Sequence, residues 1–412
     1  TDIGTNSVRF QNAYVDTYYG DGSNLTGIAA TANVRTGILD VAGIATFRSD
    51  VNMSNVNGGQ IAGRRNLLIN GDMRINQRTA TAGLSYYNPV TASIYTLDRW
   101  KVLNSNSFDT DSARVTQENG TTINGFRNSI MMNIGNTETP SANQVCGFEQ
   151  KIEAQDLHGL KYGTSSAETM TLSFWVYTNK TGTYCVQLIQ DDATKYVLYE
   201  YTVSASNTWE KKTITIVGNT ADVINDDNGV GLNVNWILCV GSGRQVSATS
   251  SWASGGSYYA TSNQVNLWDH ADNFFKMTGC QLEVGTTATE FEYRGFGDEL
   301  SLCQRYYQRF ASGGDHHQLA AAGEGSSSCK VGVPLAVPLR AQPTVACSLH
   351  RWYRSSSIGY TQSSDTPSCA QFNTSVFSPV INLLAGGHTT SNNEVGVWTP
   401  YNNNDLTLDS EL

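Results

Sequence analysis

The sequence predicts an all-β protein assembled from modules, and three observations carry that expectation. Charged residues make up only 15% of the 412-residue chain, against roughly 25% in ordinary soluble domains, while Gly, Asn, Ser and Thr recur throughout. No segment of even three turns sustains the 3.6-residue apolar period of a helix rich in Ala, Leu, Glu, Lys and Arg. Several segments instead alternate apolar and polar residues with a period of two, between turn clusters. Single cores rarely grow beyond roughly 250 to 300 residues. The chain is therefore expected to divide into a Gly-rich shaft (1–63), a β-sandwich (64–297) and a small C-terminal β domain (298–412).

The formal net charge of −10 disfavours nucleic acid, whose binding depends on basic side chains neutralising phosphates. A flat, uncharged ligand such as a polysaccharide fits better. The longest apolar runs, for example Trp236 to Val240, fall far short of the roughly 18 residues of a membrane span, so no membrane insertion is expected. The opening TDIGTNSV has neither an initiator Met nor a signal segment, and is expected to continue a longer polypeptide. The eight cysteines form no CxxC pair, which argues against a zinc site or a dense disulfide framework. Most are expected to be buried thiols of a chain made in a reducing cytoplasm.

Along residues 1–63, short apolar pieces such as YGDGSNLTGI and VRTGILDVAGIATFRSDVNM are separated by Gly and Asn. Strands this short cannot bury a core within one chain, but three chains wound together can. Ile38, Leu39, Val41, Ile44 and Phe47 make the stretch more apolar than the alternative, a flexible linker, requires. In Thr169 to Tyr177, Met170, Leu172, Phe174 and Val176 alternate with Thr171, Ser173, Trp175 and Tyr177. In Val230 to Val240, Leu232, Val234, Trp236, Leu238 and Val240 occupy one phase and Asn233, Asn235, Ile237 and Cys239 the other. Further strands are expected at Tyr184–Gln190, Tyr196–Val203, Lys212–Val217 and Phe274–Val284, with turns at Asn179–Gly182 and Asp226–Gly229. Leu300, Cys303, Tyr307 and Phe310 stand at helical spacing and predict a short connecting helix. Beyond it, Pro334, Pro338 and Pro343 confine nearby strands to edges or ends.

The segment NLLINGDMRINQRTATAGLSYYNPVTASIYTLDRW (Asn66–Trp100) and FEYRGFGDELSLCQRYYQRF (Phe291–Phe310) resemble those that open and close the sugar-binding-like jelly roll of bacteriophage tail fibres. Between them, LSFWVYTNKTGTYCVQL, YTVSASNTWEKKTITI and MTGCQLEVGTTATEFEYR follow, in order, the strand blocks of that jelly roll. VPLAVPLRAQPTVA resembles the small β domain that often follows it, and GDGSNLTGI and TGILDVAGIATF resemble shaft repeats of cyanophage-like tail fibres. The resemblance implies an intertwined homotrimer in the virion, attached through its N-terminal end to other tail or baseplate proteins. It also implies a host cell-surface polysaccharide or lipopolysaccharide as ligand. Glu283 and Gly285 would be architectural. The alternatives are a purely structural virion component, such as a head fibre or baseplate attachment, and a polysaccharide depolymerase.

No catalytic site is expected. A depolymerase needs two carboxylates facing one sugar ring, whereas Asp191–Asp192, Asp226–Asp227 and Asp298–Glu299 are sequence neighbours that read as solvated or turn residues. No G-x-S-x-G elbow is present, and His316–His317 beside Asp315 lacks an evident third ligand. The resemblance implies a structural Ca²⁺, for which Asp191, Asp222, Asp226 and Asp227 are the candidate ligands. Sugar recognition calls for flat aromatic faces beside hydrogen-bonding side chains. Trp252, Tyr258, Tyr259 and Trp268 supply them in a polar, Gly-rich stretch, and Arg351, Trp352, Tyr353, Arg354 and Tyr360 form a second cluster. Trp398 and Tyr401 are a third possibility.

Overall fold

A computed structural model describes residues 64–78, 86–87, 93–105, 113–120, 123, 125–255, 257–311, 319–324, 328–347, 350–354, 360–362, 369–371, 380–386, 395–400 and 405–412. The expected intertwined shaft lies outside them. Thirteen strands precede the first α-helix: β1 (Tyr86–Tyr87), β2 (Ile94–Leu97), β3 (Trp100–Ser105), β4 (Arg114–Asn119), β5 (Asn128–Asn133), β6 (Val145–Glu153), β7 (Met170–Thr178), β8 (Gly182–Gln190), β9 (Lys195–Val203), β10 (Glu210–Ile216), β11 (Val230–Val240), β12 (Ala253–Ser254) and β13 (Phe274–Val284). They form two antiparallel sheets, ordered β1-β4-β5-β13-β7-β10 and β12-β9-β8-β11-β6-β3-β2. This is the β-sandwich that the alternating segments predict, with the jelly-roll arrangement that the resemblance implies.

The period-two alternation sets the core. Leu172, Phe174, Val176, Met277 and Leu282 point inward from the six-stranded sheet, and Phe148, Val186, Leu188, Val234 and Trp236 from the seven-stranded one, all fully buried. Each such side chain contributes roughly 1.5–3 kcal/mol through removal from water. The Trp236 ring lies 5.3 Å from Trp100 and meets Phe174 edge-on at 5.9 Å, bridging the two sheets. Alternation fails at one place. A β-bulge between Ile237 and Cys239 shifts the phase, so Cys239 packs in the main core and Val240 in an outer cluster, the reverse of the expected sides. The six cysteines whose side chains are described, Cys146, Cys185, Cys239, Cys280, Cys303 and Cys329, are buried free thiols. Burial raises their thiol pKa values, that of Cys329 to about 12.

Glu283 and Gly285 are architectural. The fully buried Glu283 carboxylate accepts from the Thr289 N–H (2.9 Å), the Thr289 hydroxyl (2.6 Å) and the Gln281 amide (2.8 Å), closing the corner after β13. Gly285 turns there at φ 124°, a conformation that side chains disfavour.

The connecting helix, α1 (Phe296–Gln304), is shorter than the spacing implied. The chain makes a turn at Arg305–Tyr306 and becomes strand at Tyr307, so Tyr307 and Phe310 are strand residues. A tight Tyr306 N–H to Cys303 carbonyl bond (2.9 Å) ends the helix, and pairing with the chain's last strand captures YQRFA. The C-terminal strands are β14 (Tyr307–Ala311), β15 (Leu319–Glu324), β16 (Ser328–Pro334), β17 (Thr344–Cys347), β18 (His350–Arg354), β19 (Tyr360–Gln362), β20 (Cys369–Gln371), β21 (Val380–Gly386), β22 (Val395–Pro400) and β23 (Asp405–Asp409). They form a three-stranded sheet, β14-β23-β17, and a seven-stranded sheet, β19-β18-β22-β15-β16-β21-β20, with a core of Leu319, Val331, Val333, Trp398, Leu406 and Leu408 among others. Pro334 ends β16, and Pro338 and Pro343 lie between β16 and β17, as their missing N–H requires.

Residues 64–78 have no regular secondary structure, yet Asn66, Leu68, Ile69, Asn70, Met73 and Ile75 are buried. Much of their backbone is satisfied by side chains, beside main-chain bonds from Leu67 to the Leu282 carbonyl (2.8 Å) and from Cys280 to the Gly71 carbonyl (2.9 Å). The Asn66 amide donates to the Cys280 carbonyl (3.0 Å), while its oxygen accepts from the N–H groups of Leu68 and Leu282 (both 3.0 Å). Asn70, at φ 57°, brackets both backbone groups of Ile75 (2.9 Å each) and donates to the Asp98 carbonyl (3.0 Å). Gln150 on β6 brackets Ile69, accepting at 2.8 Å and donating at 3.0 Å. Arg294 reaches the Asn66 and Leu68 carbonyls and pairs with Glu299 (3.2 Å).

The same region joins the sandwich to the C-terminal strands. Glu411 pairs with Arg78 (2.7 Å) and Arg99, and Arg99 lies over the Tyr306 ring at 3.5 Å. Arg305 forks onto Glu153 of β6 with two 2.8 Å bonds, and Arg340 donates to the Asn228 carbonyl (2.7 Å). Burial raises the Glu153 pKa, but bonds from Arg305, Tyr306 and Gln155 outweigh it and hold the carboxyl below its ordinary range.

Two outcomes follow. Asn70→Ala strips three buried bonds and leaves a side chain at positive φ, and should cost roughly 2–4 kcal/mol of stability in urea denaturation. Glu153 has a folded pKa below its unfolded one, so its contribution is complete above the unfolded value and is lost as pH falls through the folded value. Thermal melts from pH 6 to pH 3 should show a smaller acid-side loss in Arg305→Gln than in the parent, relative to each protein's own stability at pH 6.

Candidate functional site

After β11 the chain crosses the outer face of the seven-stranded sheet. Val246, Ala253, Tyr259 and Ala260 pack there against Leu103, Cys185, Tyr196, Leu198 and Ile237, and the Val246 N–H bonds the Ala260 carbonyl at 2.9 Å. This packing decides the fate of the expected aromatic loop. Trp268 is 1% exposed and lies in the main core, on a 3₁₀ turn, Leu267–Asp269, capped by the Asn266 side chain. Trp252 donates its indole N–H to the Val217 carbonyl (2.8 Å) and meets Tyr162 edge-on at 5.8 Å. Tyr259 is half-buried; burial first, and the Glu149 carboxylate second, raise its phenol pKa. Tyr258, 39% exposed beside Tyr196 at 5.9 Å, alone among the four is open to solvent. The four do not form one platform, because Trp268 is in the core, Tyr259 packs on the outer sheet face and Trp252 packs against Tyr162.

The second cluster falls on neighbouring strands of the C-terminal sheet. Arg351, Trp352, Tyr353 and Arg354 lie on β18 and Tyr360 on β19, with Tyr353 opposite Tyr360 and Trp352 opposite Trp398 of β22. Their side chains, except the buried Trp398, lie outside the described residues, as does Tyr401.

The four expected calcium ligands are engaged separately. Asp227 accepts from the Gly229 N–H (2.8 Å) within its own turn, and Asp222 accepts from Asn219 (3.1 Å). Asp191 accepts from Asn233 (3.3 Å), and Asp226 is exposed. No group of three or more His, Cys, Asp or Glu side chains able to hold a metal occurs among the described residues. Asp191–Asp192 and Asp226–Asp227 are exposed turn residues as expected, whereas Glu299 is buried on the helix that follows β13, where it pairs with Arg294 (3.2 Å) and accepts from the Asn70 N–H.

A groove of ≈ 190 Å³ on the outer face of the six-stranded sheet gathers the chemistry that the loop does not. Glu118, Asn119, Gly120, Ser129, Tyr177, Trp209 and Lys276 line it. Alternation on β7 turns Tyr177 outward because Val176 is needed in the core, and Tyr177 stacks on Phe274 at 5.6 Å (24° between planes) and meets Trp209 at 5.2 Å. Lys276 stands beside both rings, 5.8 Å from Tyr177 and 5.7 Å from Phe274, and pairs with Glu118 at 3.4 Å. The site thus combines half-buried ring faces with a carboxylate acceptor, an ammonium donor and the Asn119 amide. A saccharide ring has apolar C–H faces and rim hydroxyls, and this arrangement offers a partner to each. The signal was visible in TMTLSFWVY, whose polar phase carries Trp175 and Tyr177. Large aromatics on an outward phase ask for a reason that core packing does not supply.

No protein-family model matches the chain, and no curated protein matches it. Among solved structures, it is similar to a carbohydrate-binding module, CBM4, at 14% identity over 52% of this chain and 97% of that one, with a TM-score of 0.28. It is similar to the enzymatically active domain of bacteriophage CBA120 tailspike protein 4 at 12% identity over 53% and 21%, TM-score 0.28. A third is TmCBM61 in complex with β-1,4-galactotriose, at 9% identity over 54% and 99%, TM-score 0.28. Likeness at this level reaches no individual residue of the groove.

Trp268→Ala should therefore cost roughly 3–5 kcal/mol by emptying a core site, whereas Tyr258→Ala should fall within about 1 kcal/mol of the parent. Chemical denaturation of both variants checks the contrast.

Proposed function

We propose that this chain is a glycan-binding adhesin that engages its ligand in the Tyr177–Trp209 groove without cleaving it. The observation that supports this most directly is the convergence of Tyr177 and Trp209 with the Glu118–Lys276 pair at one surface depression, Tyr177 being backed by Phe274. In the full reading the chain is a homotrimeric phage tail fibre. Its N-terminal end joins other tail or baseplate proteins, and its ligand is a polysaccharide or lipopolysaccharide of the host surface. The ordered resemblance of the Asn66–Trp100 and Phe291–Phe310 segments supports that assignment. Symmetry would then repeat a weak site three times and raise avidity through effective concentration.

Binding of the purified protein to a bacterial glycan array, followed by calorimetry on the best ligand, tests the adhesin. Trp209→Ala and Tyr177→Ala should each weaken binding roughly five- to tenfold, given that stacking on one ring is worth about 1–1.5 kcal/mol. Absence of binding to the array and to host surface polysaccharide by the parent protein would sink the proposal. Sedimentation equilibrium should return three times the chain mass, and a monomer would remove the trimeric fibre from it.

A further inference from the structure

Glu118 and Lys276 are the charged residues of the groove lining, and each is held with bonding capacity to spare. One Glu118 oxygen accepts from the Thr116 hydroxyl (3.1 Å) and the other from the Lys276 ammonium (3.4 Å). A carboxylate oxygen has two lone pairs and an ammonium three N–H groups, so these bonds leave acceptor sites on Glu118 and donors on Lys276 for a third party. The contact is also longer than the roughly 2.7–2.9 Å of a tight charge-assisted bond. Both side chains reach solvent, Lys276 at 24% exposure and Glu118 at 35%. Lys276 is flanked by the Tyr177 and Phe274 rings at 5.8 and 5.7 Å, which hold the ammonium beside Glu118. The exposed Asn119 takes an Asn128 N–H on its side-chain oxygen, which leaves its own amide nitrogen as the outward donor.

We infer that the Glu118–Lys276 pair makes the groove selective for uncharged saccharides, with Glu118 as the group that turns acidic sugars away; the inference rests on the glycan-binding reading above. A neutral sugar meets both partners without breaking the pair, because one hydroxyl gives its hydrogen to Glu118 and another accepts from Lys276 or Asn119. A uronate carboxylate can only accept. Its charged donor in the lining is Lys276, and the Glu118 oxygen stands 3.4 Å from that ammonium, so an acid that reaches the lysine is brought against a like charge. A cationic amino sugar seeking Glu118 meets Lys276 in the same way. Discrimination of this kind comes from the repulsive member of a site as much as from its attractive ones. The formal net charge of −10 acts in the same direction against a polyanion. The ligand of the adhesin is then an uncharged stretch of polysaccharide rather than a uronate-bearing one.

Calorimetry of the full chain with neutral trisaccharides of glucose, galactose and mannose, and with the corresponding uronic-acid trisaccharides, tests this. The parent should bind its best neutral trisaccharide roughly fivefold or more tighter than the acidic counterpart, the size of one like-charge contact at a solvent-exposed rim, and added salt should narrow that gap. Glu118→Gln should weaken the neutral ligand and move the ratio of the two affinities towards the acidic one by a similar factor. Lys276→Met should weaken the neutral ligand roughly tenfold, as expected for a lost bond from a charged donor. A parent that binds the acidic trisaccharide as well as the neutral one or better, or a Glu118→Gln variant that melts like the parent with an unchanged ratio, overturns the selectivity and leaves the groove standing. A gap that salt does not alter overturns it without any variant. If the parent binds saccharide and neither Trp209→Ala nor Tyr177→Ala weakens it, the groove reading falls and the selectivity with it. A parent that takes no saccharide overturns both.

Discussion

A buried peptide segment that belongs to no sheet must find hydrogen bonds for its backbone one group at a time, and the rest of this fold is arranged around that constraint. Residues 66–77 run between the end of the sandwich and the C-terminal strands, touching β13 through two main-chain bonds, Leu67 N–H to the Leu282 carbonyl (2.8 Å) and Cys280 N–H to the Gly71 carbonyl (2.9 Å), without joining a ladder. Asn66, Asn70 and Gln150 act as substitutes for strand neighbours, each offering a donor and an acceptor in one planar amide. Charged groups follow the same logic, with Glu292 taking the N–H groups of Arg65 and Asn66 (3.0 and 2.9 Å) and Asp98 taking that of Gln77 (2.6 Å). The stretch that stands out most in the sequence is therefore structural. It joins the two bodies of strands so that neither the sandwich end nor the C-terminal sheet is left with an open seam.

Strands were legible wherever one phase is buried, because Met170 to Val176 and Leu232 to Trp236 state the period without interruption. Legibility ended where a single residue changes the phase. The bulge at Ile237–Cys239 leaves no composition signal, and a Tyr at 307 suits a helix face or a strand equally. The aromatic loop illustrates a different limit. Trp252 and Trp268 sit among Gly, Ser and Asn, a context that reads as exposed, but burial is decided by the sheet face beneath, and that face is assembled from strands scattered between residues 100 and 240. The groove was half visible, since Tyr177 shows its outward phase locally, while Trp209 and Glu118 reach it only through the pairing of β10, β7, β13, β5 and β4.

The two outer faces of the sandwich are held in order differently. The six-stranded face carries rings fixed by packing on one another, which holds Tyr177 between Phe274 and Trp209. The seven-stranded face is roofed by the segment after β11, and its polar groups are oriented by main-chain atoms of that roof. Rigidity comes in one case from aromatic contact and in the other from directed hydrogen bonds.

The six interior cysteines give this arrangement a chemical consequence. A thiol attacks oxidants and alkylating agents as the thiolate, and desolvation keeps Cys146, Cys185, Cys239, Cys280, Cys303 and Cys329 protonated at neutral pH. Spread across both bodies of strands, they stay silent towards peroxide or maleimide while the chain is closed, and each becomes a local reporter at the moment its own layer parts.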